Sequence, residues 1–312
     1  GPCINAAGRL GDAKQSLEFL LERDPNVAEA RARDLLAVNN ERKSMTEAGA
    51  RHITDMLETA TVNGEFGQAA TLADKVLVVY IPAVHESVVG IIASRLKEAY
   101  TRPVMVFTDA ETPGILKGSG RSIDSYNMFE ELNRFREMFT AFGGHAMAAG
   151  LSLPVENIPV LRRRLNEGCT LTEEQMIPIL RLEDALSFAE IDLGLAKELQ
   201  TLAPFGKGNP APLFASKGIH ADRVDLIGKN KDILRLTLSE PENGIRLSAI
   251  SFDGYEPLRE MLKALYPAED CDKIINSGLL PQLLDIVYSI EINSYRGRSN
   301  VQLILKDFRF AK

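Results

Sequence analysis

A change of pattern near residues 203–210 constrains this sequence more than any other feature. Before it, short apolar runs of strand length alternate with helix-like patterns, and after it most periodic segments alternate as β-strands do. Alternating strands and helices indicate a sheet covered by helices, whereas strands with one helix indicate a small barrel or sandwich. The sequence therefore predicts an α/β domain over 71–202 and an all-β domain over 203–312.

The β-rich part fits a Greek-key barrel of the OB type, a fold that commonly binds oligonucleotides. An SH3-like barrel or a small sandwich has a similar pattern, and periodicity alone leaves these folds open. The predicted strands are Leu213–Ala221, Arg223–Ile227, Ile233–Ser239, Ile245–Phe252, Leu283–Asn293 and Val301–Phe308, with a helix near Pro257–Leu265.

A long helical segment precedes both domains. The stretch 27–59 has no proline and a single glycine. At 1.5 Å per residue it predicts a rod of roughly 50 Å, which could be split near Asn39 and Asn40. We assign 26–70 as a connecting helix. We assign 1–25, which begins with a turn-rich and partly apolar stretch, as the end of a preceding domain.

The α/β part contains alternating candidates for strands and helices. The predicted strands are Val76–Tyr80, Pro103–Thr108, Gly114–Arg121, Gly150–Leu153 and Ile179–Leu182. The predicted helices are His85–Tyr100, Asn127–Phe142, Ile158–Glu167 and Asp192–Leu202.

The composition, with 45% hydrophobic and 25% charged residues, is that of a globular domain. Its apolar runs are much shorter than the roughly 20 residues that a membrane span needs, so we expect a cytoplasmic protein with no membrane partner. The three cysteines lie far apart in the sequence, which supports neither a disulfide framework nor a Cys-x-x-Cys metal site.

Charge is distributed unevenly along the chain. The formal net charge is −7, yet the segments 204–235 and 291–312 each carry three more basic than acidic residues. Two basic segments in an acidic protein suit a confined site for a polyanion, because binding depends on where the charge lies rather than on its total. A solvated surface would explain runs of this size equally well.

Gly143-Gly144-His145 is the most informative motif. Two glycines leave backbone N–H groups open to an anion, and the histidine stands where a helix could start, which together suit a phosphate cradle. Alternatively, the motif begins a helix with a buried histidine.

The segment Lys117–Ser122 combines flexible glycines with two hydroxyl groups and the guanidinium of Arg121, which are donors suited to a phosphate. A glycine-rich turn with an incidental arginine would look the same. Both motifs would lie at the ends of elements in one α/β unit, where ligands tend to bind.

Asn293–Asn300 is a loop between two predicted strands of the last domain. A base could stack on Tyr295 while Arg296 and Arg298 contact phosphates, an arrangement suited to single-stranded nucleic acid. A solvated hairpin turn remains the alternative. Elsewhere the sequence shows no histidine pair with metal-ligand spacing, no Walker loop, no nucleophile elbow and no dinucleotide fingerprint.

These motifs, in this order, resemble the RecJ family of single-strand-specific 5′ to 3′ DNA exonucleases in the Asp-His-His phosphoesterase superfamily. The resemblance covers nearly the whole chain and is strong because several modest motifs recur together. The motifs are Asn5–Arg9, His85–Arg95, Gly118–Ser122, Gly143–Gly150, Ala203–Pro210 and Asn293–Leu303.

The resemblance implies an α/β associated domain followed by an all-β OB-type barrel and preceded by a long connecting helix. It also implies that DNA passes between the associated domain and a catalytic domain, with His145 as a catalytic residue and the barrel holding DNA through Tyr295, Arg296 and Arg298. The phosphate contacts that it implies are Arg9, Ser119, Gly120, Arg121, Gly143, Gly144 and His145.

The family's metal ligands lie upstream of the region that this sequence resembles. Mn²⁺ or Mg²⁺ is therefore expected in the full-length enzyme and not on the ligands of this chain, which alone should be inactive. The implied partners are single-stranded DNA, the N-terminal catalytic domain, a single-strand-binding protein and a helicase, in DNA repair and recombination.

Three functions remain open from the sequence. The first is part of an exonuclease, and the second is a stand-alone module that binds single-stranded nucleic acid. The third is a relative of small-nucleotide phosphodiesterases, which would have no need of a barrel that tracks several nucleotides.

Overall fold

A computed structural model of the chain describes residues 1–59, 70–206, 208–229, 231–295 and 297–311. The chain forms two compact units, Gly1–Pro178 and Ile179–Lys312. The helices of the first unit are α1 (Pro2–Leu10), α2 (Lys14–Leu21), α3 (Pro25–Thr59), α4 (Glu86–Tyr100), α5 (Met128–Asn133) and α6 (Ile158–Glu167). Its strands are β1 (Leu77–Tyr80), β2 (Val104–Asp109), β3 (Ile115–Arg121), β4 (Ala141–His145) and β5 (Ala148–Pro154).

The long predicted helix is α3, a single element of 35 residues with no break near Asn39. The side chain of Asn39 is buried and accepts a hydrogen bond from Arg42, so it stabilises the helix where a split was expected. Toward its C-terminal end, α3 buries Ile53 and Leu57 in one apolar cluster with α4. This helix therefore packs as part of the first unit, rather than serving only as a rod between domains.

The five strands of the first unit form one sheet in the order β1-β2-β3-β5-β4. β1 pairs with β2 in parallel, and all the other pairs are antiparallel. One face carries the apolar side chains that pack with α5 and α6, including Met105, Phe107 and Leu151. On the opposite face α4 covers β1 and β2, but small and polar residues dominate over β3, β5 and β4.

The predicted helix Asn127–Phe142 is wrong in its second half. α5 ends at Asn133, a 3₁₀ turn spans Arg136–Met138, and the chain then enters strand β4. The ring of Phe142 stacks on those of Phe129 and Phe139, with centroids 5.3 and 5.5 Å apart. This packing, together with the weak helix propensity of the glycines that follow, favours a strand.

The second unit contains β6 (Asp184–Ala185), β7 (Phe214–Ile227), β8 (Ile233–Ser239), β9 (Arg246–Ser251), β10 (Leu284–Tyr295) and β11 (Arg298–Phe310). Its helices are α7 (Leu193–Gln200), α8 (Tyr255–Lys263) and α9 (Ala268–Ser277). The strand order is β10-β11-β9-β8-β7-β6, and β10 also pairs with β7, so five strands close into a barrel. β9 and β11 are parallel, and α8 and α9 lie between β9 and β10 in the sequence. This is the topology of an OB barrel, and the predicted fold class is confirmed.

Four details of the second unit differ from the prediction. The two predicted strands Leu213–Ala221 and Arg223–Ile227 form the single strand β7, whose pairing with β8 shifts register between Ala221 and Arg223. The unit starts at Ile179 rather than near 203, because Phe188 and Ile191 are buried in the barrel core. No strand forms at Ile179–Leu182, and the short pairing with β7 is made by β6 instead. The sequence also missed α9, a mostly polar helix that buries Cys271 and Ile275.

Candidate substrate-phosphate and nucleic-acid sites

The uncovered part of the first sheet has three rows of side chains that point to the same side. Because partners in neighbouring strands share a face, the register defines these rows as Arg121–Ala148–His145, Ser119–Gly150–Gly143 and Lys117–Ser152–Ala141. We call this surface the open face. A Cβ placed on Gly143 or Gly150 would have no atom within 4 Å. The backbone of the middle row is therefore open to a ligand.

Arg121, on the open face, lies near enough to Arg9 for the two guanidinium charges to affect each other. Arg121 donates from Nη1 to Ser119 Oγ and to the Gly120 carbonyl, both at 2.7 Å. Arg9, on α1, donates from Nη1 to the Ser87 carbonyl at 3.2 Å. Burial, and then the nearby charge of Arg9, lower the pKa of Arg121.

Within the part of the chain that the structure describes, neither arginine is paired with an acidic side chain. Among the ion pairs of the described residues, none includes Arg9 or Arg121. Two like charges held close together without a counter-ion are unfavourable for the folded chain, unless an anion binds between them. The planar donors of arginine suit the oxygens of a phosphate.

The first turns of α4 lie directly against this arginine pair. His85 caps the helix, with Nδ1 2.7 Å from Ser87 Oγ and accepting from the Ser87 N–H. One turn later, a Cβ on Gly90 would lie 2.8 Å from Arg121 Nη2 and 3.0 Å from Ser119 Oγ. The sequence predicted a helix here, but it did not show that Gly90 packs against Arg121.

His145 does not start a helix, because it ends strand β4 and leads into the hairpin to β5. Its side chain is exposed, and Nδ1 accepts a hydrogen bond from the Met147 N–H at 3.2 Å. The histidine shares a row with Arg121 on the open face. The alternative interpretation of this motif, a helix start with a buried histidine, is therefore wrong.

Gly120 and Gly144 differ from the other predicted phosphate contacts in where they face. A Cβ on Gly120 would lie 2.3 Å from Met128 Sδ, and one on Gly144 would lie 2.3 Å from the Ala148 carbonyl. These glycines permit close packing away from the open face. Their role as phosphate contacts remains a prediction that depends on their backbone groups.

The predicted nucleic-acid loop of the second unit joins β10 to β11. Tyr295 and Arg298 are paired in register and are both exposed, and Gly297 between them has a positive φ of 76°. Arg296 lies outside the described residues. This loop connects the last two strands of the barrel, one of the positions where OB folds bind oligonucleotides.

The structure shows that arginines of the basic segment 204–235 lie together on the barrel surface. Asp225 accepts hydrogen bonds from Arg223 at 3.0 Å and from Arg235 at 3.0 and 3.3 Å. Burial opposes ionisation of Asp225, but these two donors outweigh it and lower the pKa of the carboxyl group. Two cations share one anion, so this exposed patch of β7 and β8 keeps a net positive charge.

Two further properties concern the described part of the chain as a whole. None of its helices has both the length and the apolar character that crossing a membrane requires. Nor do its residues bring together three or more His, Cys, Asp or Glu side chains that could hold a metal ion.

Comparison with known families identifies both units. Residues 73–170 match the DHHA1 domain, and residues 182–307 match the RecJ OB domain. The chain thus combines a DHHA1 domain with an OB domain of the RecJ type.

Known proteins that match nearly the whole chain extend this result. The single-stranded-DNA-specific exonuclease RecJ of Bacillus subtilis is 31% identical over 309 residues, covering 98% of this chain and 36% of that protein. RecJ of Escherichia coli is 33% identical, covering 98% of this chain and 49% of that protein. The crystal structure of Thermus thermophilus RecJ with Mg²⁺ has a TM-score of 0.70 and 26% identity, covering this whole chain and 42% of that one.

The chain belongs to the RecJ family and corresponds to the C-terminal portion of its members. It spans between about a third and a half of the length of the curated relatives that it matches.

Proposed function

We propose that this chain is the substrate-binding part of a single-strand-specific 5′ to 3′ exodeoxyribonuclease. The observation that carries the proposal is the pair Arg9 and Arg121, which lies beside the open face without an acidic partner among the described residues. Together with the Ser119 hydroxyl, the two guanidinium groups offer several donors to one phosphate. The names of the relatives, which are single-stranded-DNA-specific exonucleases, supply the substrate class.

In this proposal each side chain has a separate role. Arg9 and Arg121 bind the non-bridging oxygens of a phosphate near the 5′ end, and Ser119 orients Arg121 while donating from its hydroxyl. His145, exposed in the same row as Arg121, donates to the phosphate where negative charge develops during cleavage. The barrel of the second unit binds the strand further along, through Tyr295, Arg298 and the arginines of β7 and β8.

We further propose that hydrolysis requires Mn²⁺ or Mg²⁺, held by the portion of the full-length enzyme that this chain does not match. Solved RecJ structures contain these ions, and two-metal sites activate water and stabilise the leaving oxygen. The purified chain should then release no nucleotides from single-stranded DNA in either metal. Metal-dependent release that is abolished by a substitution within this chain would contradict the proposal.

The phosphate site is tested by the affinity of the chain for oligothymidylates that differ only in a 5′ phosphate or a 5′ hydroxyl. Arg121→Ala should remove most of the preference for the phosphorylated strand. A hydrogen bond to a charged group contributes about 1.5–3 kcal/mol, so the expected loss is roughly 10- to 100-fold. Arg33→Ala is the matched control, because Arg33 is an exposed arginine on α3 that pairs with Glu29. An unchanged preference in Arg121→Ala would refute the site.

The OB barrel favours an exonuclease over a small-nucleotide phosphodiesterase, since a dinucleotide has no use for a second binding surface. A stand-alone binding module would bind the 5′-phosphorylated strand equally well. Adding the upstream portion of a full-length relative separates the two functions, because only the exonuclease gains activity. The cytoplasmic location and the partnership with a single-strand-binding protein and a helicase are also proposals, which co-purification from cells would test.

A further inference from the structure

A shallow pocket of about 470 Å³ lies at the third row of the open face. Lys117, Ser152 and Ala141 of that row form part of its lining. The other lining residues come from the first turn of α4, the turn between β2 and β3, the start of β3 and the residue before β4: Glu86, Ala110, Glu111, Thr112, Ile115 and Thr140. None of these residues belongs to the phosphate site described above.

The pocket and the phosphate site are close neighbours on one sheet. Lys117 precedes Ser119 by two residues on β3, and a two-residue step along a strand covers about 7 Å. The middle row between them consists of Ser119, Gly150 and Gly143, of which the two glycines carry no side chain that could form a barrier. A phosphate held at Ser119 and Arg121 would therefore have the rest of its nucleotide within reach of the pocket.

The charges of the pocket exclude a second phosphate as its occupant. Lys117 is paired with Glu86 at 2.6 Å, and Glu111 adds another carboxylate to the lining. The remaining groups are the hydroxyls of threonine and serine residues and the apolar side chains of alanine and isoleucine. Such a surface can hydrogen-bond the edge of a nucleobase and the sugar oxygens while contacting the ring.

We propose that this pocket binds the nucleoside moiety of the nucleotide whose phosphate is held by Arg9, Ser119 and Arg121. The inference rests on the proposed function, since it uses the phosphate site as its starting point. Together the two sites hold one nucleotide along β3, with its phosphate at Arg121 and its sugar and base toward Lys117.

The experiment compares two probes, inorganic phosphate and thymidine 5′-monophosphate, by titration of the full chain. Ala141→Leu fills the pocket from an exposed position of β4. It should weaken binding of thymidine 5′-monophosphate about fivefold or more while leaving phosphate binding within about twofold. Thr112→Leu fills the pocket from the turn between β2 and β3 and should act in the same way if the first variant does not fold. Ala48→Leu, at an exposed position of α3, is the matched control and should change neither affinity.

The outcomes distinguish this inference from the proposed function. Arg121→Ala should weaken the binding of both probes, and if it weakens neither, the phosphate site itself is wrong. If Arg121→Ala acts as expected while both filling variants bind thymidine 5′-monophosphate normally, only the nucleoside pocket is refuted. Equal weakening of both probes by the filling variants would also refute the pocket, because it would show a disturbed phosphate site instead.

Discussion

Replacing Gly90 with alanine tests whether α4 holds Arg121 in position. The added Cβ would lie 2.8 Å from Arg121 Nη2, closer than real Cβ atoms come to other heavy atoms, and 3.0 Å from Ser119 Oγ. The guanidinium is the end of a flexible side chain, so it can move aside. To do so it must weaken its 2.7 Å hydrogen bonds to Ser119 Oγ and the Gly120 carbonyl.

Two effects on stability oppose each other in Gly90→Ala. Alanine in a helix interior is favoured over glycine by about 1 kcal/mol, whereas overpacking at a tight contact costs about 1–3 kcal/mol. The free energy of unfolding should therefore fall by at most about 2 kcal/mol. Affinity for a 5′-phosphorylated oligonucleotide should fall more clearly, roughly 10- to 100-fold, because a charged hydrogen bond worth about 1.5–3 kcal/mol is lost.

The assay needs thermal unfolding and phosphate-dependent affinity from the same preparations. Gly49→Ala is the matched control. Its added Cβ would lie 2.6 Å from Cδ1 of Ile92 on α4, so this substitution also crowds α4, but at a position away from Arg121. The control should lose stability and keep its affinity. If Gly90→Ala binds the phosphorylated strand as tightly as the parent, Arg121 is not positioned by this contact and the reasoning fails.

Three other variants give separate tests. His145→Ala should change the free energy of unfolding by less than about 0.5 kcal/mol, since the side chain is exposed. It should slow cleavage about 10²-fold once the upstream portion is restored. A large drop in the melting temperature would instead show that His145 is a structural residue. Arg298→Ala should flatten the plot of log affinity against log salt by up to about 0.7, and an unchanged slope would move the strand away from this loop. Burial raises the pKa of Tyr288 to about 12, so the protonated phenol favours the folded state and this stability is lost as the pH rises from about 10 to 12. Tyr288→Phe should lose less stability than the parent over that range, and equal loss would contradict the assignment.

The sequence predicted well the helices and strands whose structure is decided by their own hydrophobic pattern. The helix over His85–Tyr100 is α4, which begins one residue later, and the strand over Pro103–Thr108 is β2, shifted by one residue. β2 is buried along almost its whole length, and α4 buries one apolar face in the first unit. The helix over Asn127–Phe142 failed because tertiary packing decided its second half, where aromatic stacking and glycines favour the edge strand β4.

For a similar reason, the sequence alone predicted only part of the candidate site. Ser119 and Arg121 lie two residues apart on β3, so the two-residue period of a strand places their side chains on the same face. The approach of Arg9 to Arg121 depends on how α1, α4 and β3 meet, and no local pattern contains that information. The resemblance grouped these residues. The physical argument for an anion is that no acidic side chain among the described residues pairs with Arg9 or Arg121, and this follows only from the three-dimensional structure.

The position of β11 has a consequence for how the barrel is made. This strand, Arg298–Phe310, lies between β9 and β10 rather than at an edge, and it is the last to appear in the sequence. During translation, β7, β8 and β9 can pair as they emerge, but the wall of the barrel stays incomplete until residue 310 has been synthesised. A nonsense mutation shortly before residue 298 would therefore remove a central strand, and it should release a protein whose first unit is folded while its second unit is open and prone to proteolysis.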